Sequence, residues 1–153
     1  MKKEEIKAIS FESRILDISL INFKVFHKKN VKVNKNDFAF EFNIKIKLSP
    51  SIKSIEIDSS INIFSDQTKD LLLADIASVG KFEILNYEEI IKEYKGMPNP
   101  IISVFIGVLI STTRGFLILK SKDTLIDGAL IPLSNPNSFF ANKEGVIKEK
   151  ENE

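Results

Sequence analysis

Residues 98–115, PNPIISVFIGVLISTTRG, constrain this chain more than any other stretch. Helical spacing lines Ile101, Val104, Phe105, Val108, Leu109 and Thr112 along one face, yet Ile102, Ile106 and Ile110 fill the other sides. An isolated surface helix has no use for apolar residues all round. Such a helix needs cover on more than one side, from its own sheet and a second copy of the protein, or from lipid. The expected helix runs from 101 to 114, with Asn99 before Pro100 as its cap.

Lipid is the weaker option. A membrane span needs about 20 mostly apolar residues. Here Ser111, Thr112, Thr113 and Arg114 fall in the second half, with Gly107 and Gly115 alongside. An arginine in hydrocarbon costs roughly 2.5–3.5 kcal/mol. No stable membrane insertion is expected.

The first half of the chain is patterned for strands. In DFAFEFNIKIKL, the residues Phe38, Phe40, Phe42, Ile44, Ile46 and Leu48 alternate with Ala39, Glu41, Asn43, Lys45 and Lys47, which makes a strand with one apolar face. Pro50 and its serine neighbours turn the chain, and Ile55, Ile57, Ile61 and Ile63 resume the alternation. LLLADIAS begins another strand that continues through Val79, Phe82 and Ile84 past Gly80, a glycine suited to a bulge or a close backbone contact. Upstream, RILDISLINFKVF changes its apolar face near Leu20, as a bulge or a crossing between surfaces would make it do. Short turns with no intervening helix predict antiparallel order.

Helices follow. Asn86 is placed to cap YEEIIKEYKG, with Glu88 and Glu89 in its first turn and Gly96 at its end. After Gly115, FLILKSK reads as an edge strand or an extended arm, and the turn-rich stretch to Ser138 as a loop packed through Leu130, Ile131 and Leu133. SFFANKEGVIKEKENE reads as a final helix dissolving into charge. The fold class expected is α+β, a four-stranded antiparallel sheet packed against a long helix and a shorter C-terminal helix. Residues 1–10 form a flexible N-terminus, 11–141 a single domain, and 142–153 a charged, disordered tail.

Composition narrows the function. The chain has 153 residues, enough for one ordinary core, and 22 Lys+Arg against 21 Asp+Glu leave a net charge of +1. No field of one sign points to nucleic acid or an anionic membrane. With no cysteine there is no disulfide, thiolate metal site or cysteine nucleophile. The opening residues MKKEEIKAISFESR lack the apolar run of about 7–15 residues that a secretory signal needs, so a cytoplasmic protein is expected.

Candidate catalytic groups are scarce. His27 is the one histidine and sits in the basic run HKKN, where it reads as a surface residue. Asp17, Asp58, Asp66, Asp70 and Asp75 have no metal-site spacing, and the six glycines form neither a phosphate loop nor a dinucleotide fingerprint. No enzymatic activity, cofactor or metal is expected. The anomaly is the 12 phenylalanines, more apolar surface than one small core uses.

Several local strings occur in a telling order. Val79-Gly80-Lys81-Phe82-Glu83-Ile84, then Pro98-Asn99, then Thr113-Arg114-Gly115-Phe116, then Pro132 with Asn135 and Phe139-Phe140, resemble the motifs of the SecB family of protein-export chaperones. Arg14-Ile15 and Asp17-Ile18-Ser19 resemble that family's first strand. The resemblance covers roughly residues 11–140. Met97 stands where the family has cysteine, Pro136 replaces a phenylalanine, KSKDTLIDG lengthens one loop, and the family's acidic balance is absent.

The resemblance implies a sheet with helices on one side, dimers that pair into tetramers through their long helices, and outer hydrophobic grooves for unfolded polypeptides. On it rests the expectation of an ATP-independent holdase, serving export through a translocase ATPase or a toxin–antitoxin system. Phe23, Phe26, Phe38, Phe40, Phe42, Leu130 and Leu133 are the expected client-binding residues, although core packing explains them equally well. Ile101, Val104, Phe105 and Val108 are assigned to helix packing and assembly, and Arg114 to capping or pairing at the helix C-terminus. The alternatives are a binding protein for a small apolar ligand and a structural subunit.

Overall fold

Alternation of apolar and polar residues becomes a sheet with one dry face. The computed structural model describes residues 9–26 and 31–140. Its strands β1 (Ser13–Val25), β2 (Ala39–Ser49), β3 (Ser54–Phe64) and β4 (Leu72–Ile84) form one antiparallel sheet in the order β1-β4-β3-β2. Helices α1 (Tyr87–Tyr94) and α2 (Asn99–Lys120) follow. This is the expected α+β architecture. Of the expected C-terminal helix the described residues contain a 3-10 turn, Pro136–Phe140.

Cross-strand pairs set the dry face. Ile55 opposes Phe82 and Ile61 opposes Ile76, and all four side chains are fully buried. The alternate residues carry the charge. Lys81 pairs with Glu56 at 3.7 Å, Lys69 with Glu41 at 3.4 Å, and Arg14 with Glu83. These partly exposed pairs stabilise weakly, about 0–1 kcal/mol each.

In β1 the pairing register jumps twice, between Ile15 and Asp17 and between Leu20 and Asn22. Leu16 and Ile21 are the extra residues, and both are exposed. The second jump is the change of face legible near Leu20.

Helix α2 lies across β4, β1 and β3. Phe105 stacks on Phe82 with 4.5 Å between ring centres and meets Phe11 edge-on at 5.7 Å. Gly80 permits this approach: a Cβ there would lie 2.8 Å from the Phe82 ring and 3.3 Å from Leu109. Under the helix, Thr113 Oγ1 pairs with Ser78 Oγ at 2.6 Å and with the Leu109 carbonyl at 2.8 Å, whereas the buried Ser59 hydroxyl on β3 has no partner among the described residues.

Four expectations are corrected. Helix α2 does not stop at Arg114 but continues through FLILK to Lys120, because Leu117 keeps phase with Ile106, Ile110 and Thr113 and is fully buried. The exposed Gly115 is simply carried within it, at a cost of about 1 kcal/mol. Asn86 holds the cap position of α1, but neither expected asparagine makes a capping bond with its side chain. Asn86 Oδ1 instead accepts the Glu12 N–H at 2.9 Å, tying down the start of β1, while Pro98 takes the cap position of α2 and accepts the Ile101 N–H. The α1 helix closes on Lys95 in the left-handed region, one residue before Gly96. Finally, the loop after α2 packs through Ile126, Ala129 and Ile131, leaving Leu130 and Leu133 exposed.

Arg114 does not act at the helix end either. It donates from Nε to the Ile131 carbonyl at 2.7 Å and from Nη2 to the Pro132 carbonyl at 3.0 Å, clamping the returning chain to the side of α2. Arg114→Ala is expected to lower stability by about 1.5–3 kcal/mol in denaturant unfolding, the range for bonds to a charged donor. Lysine is expected to restore only part of this, since a point charge does not reproduce the planar fork.

Candidate functional site

The inner row of β2, comprising Phe40, Phe42, Ile44, Ile46 and Leu48, packs against the core but stays half-buried. The cause is topological. β2 is an edge strand, and α2 is centred over the other three. The row therefore projects as an apolar shelf beside the helix, and the outer backbone edge of β2 faces away from the sheet. Period-two patterning supplies both sides of this strand: Glu41, Asn43, Lys45 and Lys47 lie on the opposite, exposed face.

Between shelf and helix runs the Pro136–Phe140 turn. Phe139 meets Phe42 edge-to-face at 5.7 Å, and Ser103 Oγ on α2 donates to Asn137 Oδ1 at 2.7 Å. Pro136 lies against Gly107. The arrangement is a groove with an aliphatic and aromatic floor, a helical wall, and a strap of the protein's own chain across it.

The residues singled out from the sequence do not converge on one place. Phe40 and Phe42 lie on the groove floor, and Phe38, only 8% exposed, belongs to the core at the start of the same strand. Phe23 opposes Ile76 near the end of β1, and the Phe26 N–H bonds to the Leu73 carbonyl. Leu130 and Leu133 sit on the loop after α2, with Leu133 89% exposed. Ile44, Ile46, Leu48 and Phe139 were not singled out, though the alternation that marks Phe40 and Phe42 runs on through Leu48.

The helix-packing residues divide by face. Ile101 and Phe105 are buried against the protein's own sheet, whereas Val104 is 49% exposed and Val108 half-buried. Val104 shares the outer side of α2 with Ser111, Gly115, Ile118 and Leu119. The helix is long and apolar enough to cross a membrane by length and composition, and half of its most apolar window is buried in the fold.

Among the described residues no three His, Cys, Asp or Glu side chains group as metal ligands, and His27 lies outside them. The space between α2 and the sheet is filled by Ile57, Ile61, Phe82, Phe105 and Leu109. A depression of about 310 Å³ lies on the outer sheet face beside Ile21, Lys45, Asp58 and Ala77. Another, of about 260 Å³, lies between Ile118 and Leu130.

Searches against protein-family models and against curated protein sequences return no match. The fold, however, is similar to that of the Mycobacterium tuberculosis SecB-like chaperone Rv1957, solved in complex with a ChAD peptide from the Rv1956 HigA1 antitoxin. The two share 16% sequence identity with a TM-score of 0.54, over 80% of this chain and 90% of that one. The α+β fold is thus SecB-like.

Proposed function

We propose that this protein is a non-enzymatic, ATP-independent holdase that shelters unfolded segments of other polypeptides in the groove between β2 and α2. The observation that carries the reading is the half-buried row from Phe40 to Leu48, apolar surface that the fold leaves beside a free strand edge. Binding there is driven by removal of apolar area from water, roughly 25 cal/mol per Å² before ordering costs, and is indifferent to exact sequence. The free backbone edge of β2 adds pairing with an extended client.

A SecB-like fold supports this reading, and the antitoxin peptide held by the structural neighbour favours a client of the antitoxin type over an exported precursor. The charge distribution agrees. The net charge is +1, and outer-face acids such as Glu56 and Glu83 are paired with Lys81 and Arg14. Each of these pairs is neutral as a unit. The proposed setting is the cytoplasm, where clients emerge unfolded.

The working form is a homo-oligomer, proposed as a dimer of dimers. The β1 edge exposes Ile15, Leu16 and Ile21, and α2 exposes Val104, Ile118 and Leu119, apolar surface that a second copy would cover. Val104→Glu combined with Leu119→Glu is expected to reduce the native mass to that of a smaller species with unchanged circular dichroism; an unchanged mass would exclude this face of α2 from assembly. The holdase itself is tested by light scattering: substoichiometric delay of aggregation of an unrelated unfolded protein without nucleotide is expected, and no delay would refute it.

A further inference from the structure

The segment Pro136–Phe140 lies in the groove, and it has the chemistry of a bound peptide: uncharged, with a proline, an amide and an aromatic ring. We infer that this segment is an internal ligand of the groove, displaced by client segments of the same composition, namely uncharged stretches with an aromatic side chain close to an amide. The inference rests on the groove reading above and adds to it a preferred ligand and a built-in competitor.

Three contacts seat the segment, and each uses a side chain that another polypeptide can supply. Phe139 presents its ring edge-to-face to Phe42, with an interplanar angle of 66°. Asn137 accepts a hydrogen bond from Ser103. Pro136 faces Gly107, where a Cβ would approach the proline ring to 3.3 Å, so glycine leaves it room. Among the described residues the polar contact made to the segment is the Ser103 hydroxyl, which suits an amide and carries no counter-charge for a carboxylate or ammonium group.

The same segment also carries its own turn. Its turn closes on itself, with the Ser138 N–H and Oγ both donating to the Asn135 carbonyl and the Asn137 N–H donating to Asn135 Oδ1. A small depression of about 50 Å³ lies beside Pro136, between Gly107, Ile110 and Arg114 of α2 and Leu133 upstream. The Arg114 clamp on Ile131 and Pro132 fixes the chain just upstream. A displaced segment therefore stays tethered beside the groove at high effective concentration and closes again when the client leaves.

A permanent wall makes the opposite prediction to a competitor. The test uses the full chain, Phe139→Ala and Phe42→Asp, with a fluorescein-labelled peptide SNPNSFF, matching residues 134–140, and reduced carboxymethylated α-lactalbumin as an unfolded client. Phe139→Ala is expected to bind the peptide about tenfold more tightly than the unaltered chain, because the tethered competitor has lost its aromatic anchor. Asn137→Ala, which deletes only the bond to Ser103, is expected to shift affinity the same way by a smaller factor, and serves if Phe139→Ala loosens the fold. Phe42→Asp is expected to bind both probes about 10- to 100-fold more weakly. If the unaltered chain holds lactalbumin but Phe139→Ala and Asn137→Ala bind the peptide equally or more weakly, the segment is a wall and the inference is overturned while the groove stands. If the unaltered chain binds neither probe, the groove reading fails and takes the inference with it.

Discussion

Replacing Phe105 by alanine is expected to destabilise the protein by about 3–5 kcal/mol, read as a lowered denaturant midpoint at unchanged slope. Phe105 is the keystone between helix and sheet. It is 3% exposed, stacks on Phe82 and takes the edge of Phe11, so its loss removes two ring contacts and opens a cavity in a rigid environment. Neighbouring Ile101, Ile102 and Leu109 are themselves fully buried and have no freedom to fill the space. Val104→Ala, one residue earlier but on the outer face, is expected to change stability of the isolated chain by no more than about 0.5 kcal/mol. Equal effects at the two positions would contradict the orientation of α2.

Phe42→Asp is expected to weaken binding of an unfolded client by about 10- to 100-fold while leaving the protein folded. The magnitude follows from losing most of an aromatic side chain's burial and placing a carboxylate where a client's apolar groups would have to desolvate it. The fold is expected to survive because Phe42 is half-buried on an edge strand, and because its partners Ile61 and Phe139 keep other neighbours. The loss to stability should be about 2 kcal/mol, the ring pair together with the half of the side chain's burial that the fold itself provides. Fluorescence anisotropy of a labelled client, with circular dichroism as the folding control, separates the two. A variant that binds normally would remove β2 from the site.

The strands were legible because a half-buried strand declares its period in its side chains. The residues from Phe38 to Leu48 marked β2 almost to the residue, and the phase slip in RILDISLINF announced a change of face, for which the register jump decides in favour of a bulge over a crossing. The end of α2 was misread because Arg114-Gly115 looks like a stop, although Leu117 continues the buried phase set by Ile110 and Thr113. The caps were half legible: Asn86 does take the cap position of α1, but the Glu12 N–H claims its side chain, and Pro98 takes the cap position of α2 from Asn99.

The groove was only half legible. Alternation puts Phe40, Phe42 and Ile46 on one face but carries no information about how far α2 reaches across that face. That depends on strand order, β1-β4-β3-β2, which leaves β2 at an edge. The strap was invisible for the same reason. Nothing local to Pro136 or Phe139 tells that they meet Gly107 and Phe42, positions distant in sequence. The 12 phenylalanines were a misleading signal as well, since among the described residues the large apolar side chains left most exposed are aliphatic, including Ile21, Leu119 and Leu133.

Adjacent residues on β2 offer the most direct test of where clients lie. Ile46 points to the shelf and Lys45 to the opposite face, one pleat apart. With a benzophenone side chain placed at each position in turn and an unfolded client added, irradiation should cross-link the client strongly from position 46 and weakly from position 45. Equal labelling from both positions, or labelling from 45 alone, would contradict the proposal that the β2–α2 groove holds the client.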